Sequence, residues 1–297
     1  MRPDDWHLTE DVDGFLARAG DFLRLRPALH NTPLTDIEKL RTRGADAHAH
    51  GAEAAVFGRL KSGGEVRAIF YHTPRGRLGL TPLSALQAGH LAAHLAELGH
   101  FPSHVIADHD TATAFAEAWQ QHAGAAPEPF WRTHLYRLGT LTPPQPRPEG
   151  QGRIAGGRDH EQIVRWCREF CVDVGERPSI DLIDSGSWAD SRFGDRHFTF
   201  WETPDGTPVS MAAATSTVGG MVRVDPVYTP ARLRGRGYAG AVTVEVSRAA
   251  LAAGATDVVL FTNPANPTSN ALYQRIGYVH VADFAGYRFS YDAPEAG

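Results

Sequence analysis

The stretch VRVDPVYTPARLRGRGYAG, residues 222–240, decides how the chain is read. Val222 to Tyr228 has the composition of a strand, and Thr229-Pro230 breaks it. A glycine-rich loop with three arginines follows, and Ala239, Ala241, Val242 and Val244 then open a helix. Such a loop is a device for holding an anion. Small residues let the backbone come close, and the unpaired amides and positive dipole end of the helix bind the charge. The segment therefore asks for a phosphate-bearing ligand.

Working outward, Asp257–Thr262 reads as an apolar strand, Pro267–Ile276 as a helix and Val279–Phe289 as closing strand. Before the loop, Phe198–Glu202 and Val209–Val218 form a hairpin around Pro204-Asp205-Gly206. Asp159–Val174 is an amphipathic helix, and Gly175–Asp195 a long polar loop. The first half follows the same plan. Helices at Asp11–Leu25 and Thr32–Arg43 precede strand-like runs at Ala54–Leu60, Val66–His72 and Arg77–Thr81. A helix through Leu86, Leu91, Leu95 and Leu98 comes next, then a strand, a helix and a strand ending at Leu138.

HVIADHDTATAFAEAWQQHAG in the first half lines up with VVLFTNPANPTSNALYQRIGY in the second, an internal repeat of strand, turn and helix. The first half's counterpart of the phosphate loop, RLGLTPLSALQAGH, has no arginine–glycine run. Thr140–Gly150, TLTPPQPRPEG, is a semi-rigid linker. The expected division is a degenerate domain over 1–140, a linker over 141–150 and a ligand-binding domain over 151–297.

With 42% hydrophobic and 21% charged residues the chain is an ordinary globular protein, long enough for two domains. Its net charge of −5 is shared by both halves, so neither has the basic excess of a nucleic-acid binder. No apolar run reaches membrane-spanning length, and the acidic, polar N-terminus is unlike a secretory signal. The expectation is a cytoplasmic protein, monomer or homodimer. Cys167 and Cys171 fall on the apolar face of the 159–174 helix and read as core residues. His90/His94 and His48/His50 have metal-like spacing but no H-E-x-x-H motif and no cysteine partner, so no metal is expected.

Gly235-Arg-Gly237-Tyr-Ala-Gly240 fits the dinucleotide fingerprint G-x-G-x-x-G, but antiparallel strands precede it and one βα unit follows, which is the wrong setting. The segment instead resembles the acetyl-CoA signature R/Q-x-x-G-x-G/A of the GNAT superfamily of N-acetyltransferases. Arg234, Gly237 and Ala239 match it, and Arg232, Gly235 and Gly237 match in an overlapping register. NPTSNALYQRIGY, Asn266–Tyr278, resembles the family's N-x-x-A-x-x-L-Y-x-x-x-G-F/Y helix, with Ser269 in the alanine's place. The resemblance covers about the last 140 residues well and the first half in outline.

It implies an α/β fold of two tandem GNAT-like domains: mostly antiparallel sheet, a splayed central pair of strands and flanking helices. It also implies acetyl-CoA as cosubstrate and a small-molecule amine as acceptor. The CoA pyrophosphate would lie on Arg232, Arg234, Gly235, Arg236, Gly237, Tyr238, Ala239 and Gly240, and the pantetheine arm beside Val227 and Tyr228. Acyl transfer to an amine needs a neutral amine, a held oxyanion and a protonated leaving thiolate. Tyr273 matches the family's acid, since a phenol stays protonated at neutral pH; a plain core tyrosine is the alternative.

Asn266 reads equally as a helix N-cap and as a pantetheine contact, and Asn270 faces either cofactor or solvent. Strand parity puts Met221, Arg223, Asp225 and Val227 on one face. Asp225 is thus the nearest carboxylate for a general base, reading equally as a turn aspartate before Pro226, with Glu202 and a water relay as the other choices. The acidic, aromatic loop Asp184–Asp195 suggests a cationic acceptor. A binding-only acyl-CoA sensor or pseudoenzyme is the competing class.

Overall fold

The computed structural model describes residues 5–47 and 54–291, so His48 and His50 lie outside it. The chain divides into two compact units, Met1–Leu135 with Val281–Gly297, and Tyr136–His280. The proline-rich segment 140–150 belongs to the second unit.

Unit 1 opens with β1 (Asp5–Thr9), α1 (Val12–Leu25) and α2 (Asn31–Ala47). The strands β2 (Val56–Ser62), β3 (Glu65–His72) and β4 (Arg77–Leu80) follow. Then come α3 (Ala85–Glu97), β5 (His104–Asp108), α4 (His109–Ala123) and β6 (Ala126–Leu138), whose last residues pass into unit 2. Gly63 and Gly64, both at positive φ (62° and 85°), make the tight turn between β2 and β3. β4 and β5 run parallel, with Leu78 opposite Val105. Leu78, Leu91, Val105, Phe115 and Trp119 form a core between the sheet and α3–α4.

Unit 2 contains β7 (Gln151–Ile154), α5 (His160–Val174), α6 (Arg177–Asp184), β8 (His197–Glu202), β9 (Pro208–Ala214) and β10 (Met221–Tyr228). After these come α7 (Tyr238–Ala252), β11 (Asp257–Thr262), α8 (Pro267–Arg275) and the start of β12 (Tyr278–Ser290). The strand order is β7-β8-β9-β10-β11, antiparallel except for β10–β11. Two cores lie on its faces. Val222, Val224, Val242, Leu260 and Tyr273 gather on the α7–α8 side, and Trp166, Cys167, Cys171, Phe193 and Phe200 on the α5–α6 side. Among the described residues no helix is long and apolar enough to cross a membrane.

The expected polar loop 175–195 is in fact part helix. Pro178 suits the first turn of α6, and Ile180 and Ile183, three apart, bury one face against the α5-side core. The short length of that apolar stripe hid it in the sequence.

The repeat is realised in element order: β2-β3-β4-α3-β5-α4 answers β8-β9-β10-α7-β11-α8. The link from β4 to α3 is short and sewn shut. Thr111 Oγ1 accepts from Leu83 N at 2.9 Å and donates to Leu83 O at 3.3 Å. Ser84 and Gln87 close a capping box over the α3 amides. Among the described residues no third metal-ligating side chain gathers with His90 and His94. Replacing Thr111 with Val should strand two buried backbone groups and destabilise the protein by about 2–4 kcal/mol. A fall in the urea midpoint measures this; an unchanged midpoint would show that Thr111 does not hold the segment.

Candidate functional site

β10 pairs with β11 over three positions, Met221↔Asp257, Val222↔Val258 and Arg223↔Val259, and no further. On its other side β10 continues to pair with β9 as far as Tyr228↔Met211. The two parallel strands therefore part after Arg223, and the backbone of Val224–Tyr228 has a free edge towards the gap. A bulge falls between Val224 and Val227. Pro226, with no N–H to give to a ladder, suits that place.

The bulge corrects the strand parity. A slip of one residue turns every later side chain to the opposite face. Val227 therefore packs with the α7-side core, and Tyr228 enters the α5-side core, its ring 6.1 Å from Trp166. Asp225 and Val227 do not share a face. The Tyr228 hydroxyl donates to Glu169 Oε2 at 2.8 Å; burial, then that carboxylate, pushes its pKa up.

Past Tyr228 the chain makes one 3-10 turn, Ala231–Leu233, held by Leu233 N donating to Pro230 O at 2.8 Å. Gly235 and Gly237 sit at φ 77° and 81°, where a Cβ is disfavoured. Gly237 is the N-cap of α7 and supplies no side-chain cap, so the first-turn amides at Tyr238, Ala239 and Gly240 have no helical acceptor. Gly235, Arg236 and Gly237 are exposed. Gly240 serves packing: a Cβ there would lie 3.1 Å from Leu272 Cδ1 on α8.

The three arginines divide. Arg234 is committed: its Nε donates to Thr229 O at 2.9 Å and its Nη2 to Asp173 on α5. Arg232 and Arg236 are exposed and have no ion-pair partner among the described residues.

Tyr273 of α8 is buried beside β10 and β11, its ring 6.1 Å from that of Tyr278. Tyr278 shares a 2.7 Å hydrogen bond with Ser247 Oγ, whereas the Tyr273 hydroxyl has no partner among the described residues. Burial first, then Tyr278 and the Asp225 charge, push the Tyr273 pKa well above a phenol's ordinary value. It is neutral at any physiological pH. Asn266 is the N-cap of α8, its Oδ1 accepting from Ser269 N at 3.0 Å. Asn270 donates to Asn266 O at 2.8 Å and Asn263 O at 3.1 Å, while its Oδ1 is buried with no donor among the described residues.

Asp225 is clamped. It accepts from Arg192 Nη2 and lies 4.0 Å from Arg196 Nη2. Burial would raise its pKa, but Arg192 and Arg196, with Arg223 adding to them, outweigh it and hold the carboxyl below its ordinary value. Arg192 also donates to Glu176 and stacks 5.1 Å over Phe193. Sequence reading missed Arg192 and Glu176; Arg192 meets Glu176 across 16 residues and Asp225 across 33, gaps that no periodicity marks. Glu202 lies two strands away on β8, bonded to Arg153 at 2.7 Å. In the segment 184–195, Phe193 is fully buried, Asp184 pairs with Arg168 and Asp195 with Arg196, both at 2.6 Å. Much of the segment's acidic and aromatic content is thus used internally.

Residues 209–287 match the family described as FR47-like protein. No curated protein matches the chain in sequence. Among solved structures, a GCN5-related N-acetyltransferase from Sphaerobacter thermophilus is 16% identical, with 97% of this chain and 96% of that one covered at a TM-score of 0.53. A tandem GNAT protein from the clavulanic acid biosynthesis pathway, solved without acetyl-CoA, is 14% identical, with 98% and 100% covered at 0.54. A GCN5-related N-acetyltransferase from Kribbella flavida is 16% identical, with 77% and 88% covered at 0.50. The chain has the fold of the GCN5-related N-acetyltransferases, in the tandem arrangement. Its C-terminal half carries the stretch that matches the FR47-like family.

Cys167 and Cys171 are free thiols under the Asp225 network. Burial, then the Glu176 charge, pushes the Cys171 thiol up to about 12, and burial raises Cys167 further. The unfolded thiols ionise near 9 while the folded ones stay protonated, so the unfolded state binds fewer protons above that pH. Stability should therefore fall as pH rises from about 9 towards 12. Both thiols should resist a disulfide reagent at pH 8 until denaturant is added; fast labelling of the folded protein would contradict the burial.

Proposed function

We propose that unit 2 is an acetyl-CoA-dependent N-acetyltransferase that acetylates the amine of a small molecule. The observation that carries it is the opening between β10 and β11, with the uncapped N-terminus of α7 beyond β10 and the neutral, unpartnered Tyr273 hydroxyl beside the strands. The fold and the FR47-like match support acyl transfer in general.

In this scheme the CoA pyrophosphate lies on the amides from Arg234 to Gly240, with Arg232 and Arg236 free to add charge-assisted bonds. The amides of the pantetheine arm pair with the free edge of β10 at Val227 and Tyr228. The amine nitrogen attacks the thioester carbonyl, the C–S bond breaks, and the departing sulfur takes the Tyr273 proton. The amine's own proton leaves to water, and water returns a proton to the Tyr273 oxygen, so the phenol is restored and the protons balance. Asp225, ionised and held by Arg192, is a weak base. It acts by tying the segment 191–196 to β10, so that the wall of the acceptor side is fixed.

The commitment of both Asp225 and Glu202 to arginines favours one second reading, an acyl-CoA-binding sensor without turnover. A panel of amines and amino acids assayed for CoA thiol release separates the two: no release with any acceptor, alongside calorimetric binding of acetyl-CoA, selects the sensor.

Tyr273→Phe should lower turnover about 100-fold. Acetyl-CoA affinity should change less than about twofold, because the hydroxyl bonds no protein group among the described residues. Unchanged turnover would remove Tyr273 as the acid. Replacing Arg232 and Arg236 together with Ala should weaken acetyl-CoA binding about tenfold or more at low salt, and leave the melting temperature unchanged because neither side chain holds an ion-pair partner among the described residues. Calorimetry showing equal affinity would move the phosphates elsewhere.

A further inference from the structure

Unit 1 carries a row of basic residues that the acetyl-transfer scheme does not use. Arg77 on β4 is in register with His104 on β5, and His104 with Arg288 on β12. In-register residues on adjacent strands share a face with Cβ atoms about 5 Å apart, and like charges so placed repel. Val105 and Ala107, the alternate residues of β5, go to the other face, into the core under α3 and α4. The next row on the basic face is Gly79, Ile106, Gly286. Both glycines make room for rings: a Cβ on Gly286 would be 2.8 Å from Phe130 Cε1, and one on Gly79 would strike the Tyr71 ring. The Arg288 guanidinium lies 4.6 Å over Phe130, and the His104 ring meets Phe130 edge-on at 5.8 Å.

The charge on this face is only partly balanced by the described residues. Asp36 pairs with Arg77 at 3.1 Å and accepts from the Tyr71 hydroxyl at 2.5 Å. Arg288 is exposed and has no acidic partner among the described residues. Ser103 Oγ lies 3.0 Å from His104 Nδ1. The imbalance registers on His104, whose pKa is pushed down to about 4 by burial, then by Arg77, Arg288 and His72. Half-buried Ile106 and Phe130 set apolar surface beside the charge.

We propose that this face of unit 1 binds a small anion with a flat apolar body, the class of aromatic carboxylates, its head over His104 between Arg288 and Arg77 and its body on Ile106 beside Phe130. The site lies wholly in unit 1 and does not depend on the acetyl-CoA scheme for unit 2.

The test uses the full chain. The His104 ring signals, assigned with His104→Gln, are followed by NMR while benzoate or inorganic phosphate is added. Benzoate should produce a saturable shift at lower concentration than phosphate and raise the His104 pKa. Arg288→Ala should weaken benzoate binding at least tenfold, and Arg288→Lys should recover most of it. A shift linear in benzoate, equal binding of phosphate and benzoate, or full binding by Arg288→Ala would each overturn the proposal.

Discussion

The site in unit 2 depends on the parting of two parallel strands. Strands β10 and β11 share three residue pairs and then diverge, because the bulge at Asp225-Pro226 bends β10 and Pro226 brings no amide hydrogen to a ladder. An unpaired strand edge inside a sheet is costly unless something covers it. Here it is kept open by packing on both faces: Val222, Val224 and Val227 against α7, Tyr228 against α5. Close contact of Gly240 with Leu272 sets α7 against α8, and α8 carries Tyr273 to the strands.

Unit 1 shows what the same order of elements does without that opening. Its β4 also runs parallel to β5, but Thr111 bonds both backbone groups of Leu83, and Ser84 with Gln87 caps the α3 amides that would otherwise face a ligand. In the internal alignment Trp119 stands where unit 2 has Tyr273. It is fully buried, and its indole donates to Tyr291 Oη at 3.1 Å. The amides of one helix are satisfied by its own side chains, and those of the other are left for something else. A local choice of cap, serine against glycine, separates the two.

Charge is handled by long-range pairing in unit 2. Arg192 joins Glu176 to Asp225, Arg234 joins the phosphate-type loop to Asp173, and the Tyr228 hydroxyl joins β10 to Glu169. Helix α5 and the segment after α6 are thereby bound to β10 and its loop. Each of these ties removes a side chain from direct use on a ligand. Arg234 is so committed, whereas Arg232 and Arg236 have no ion-pair partner among the described residues.

The sequence by itself determined the repeat, the glycine loop entering a helix and the tyrosine helix after it. Each is local, set by glycine at positive φ, by apolar period and by a proline at a helix start, within a few residues of one another. The N-cap of Asn266 and the buried cysteine pair of α5 were legible for the same reason. The bulge was not: proline after aspartate reads as a turn or a strand, and only pairing with β9 on one side and β11 on the other defines an extra residue. Helix α6 was hidden because its apolar face is two isoleucines long and gains its stability from a core built by distant strands. The roles of Asp225 and Arg234 were decided by tertiary structure alone, because a charged side chain's chemistry is set by the partner it meets, and those partners lie 33 and 61 residues away along the chain.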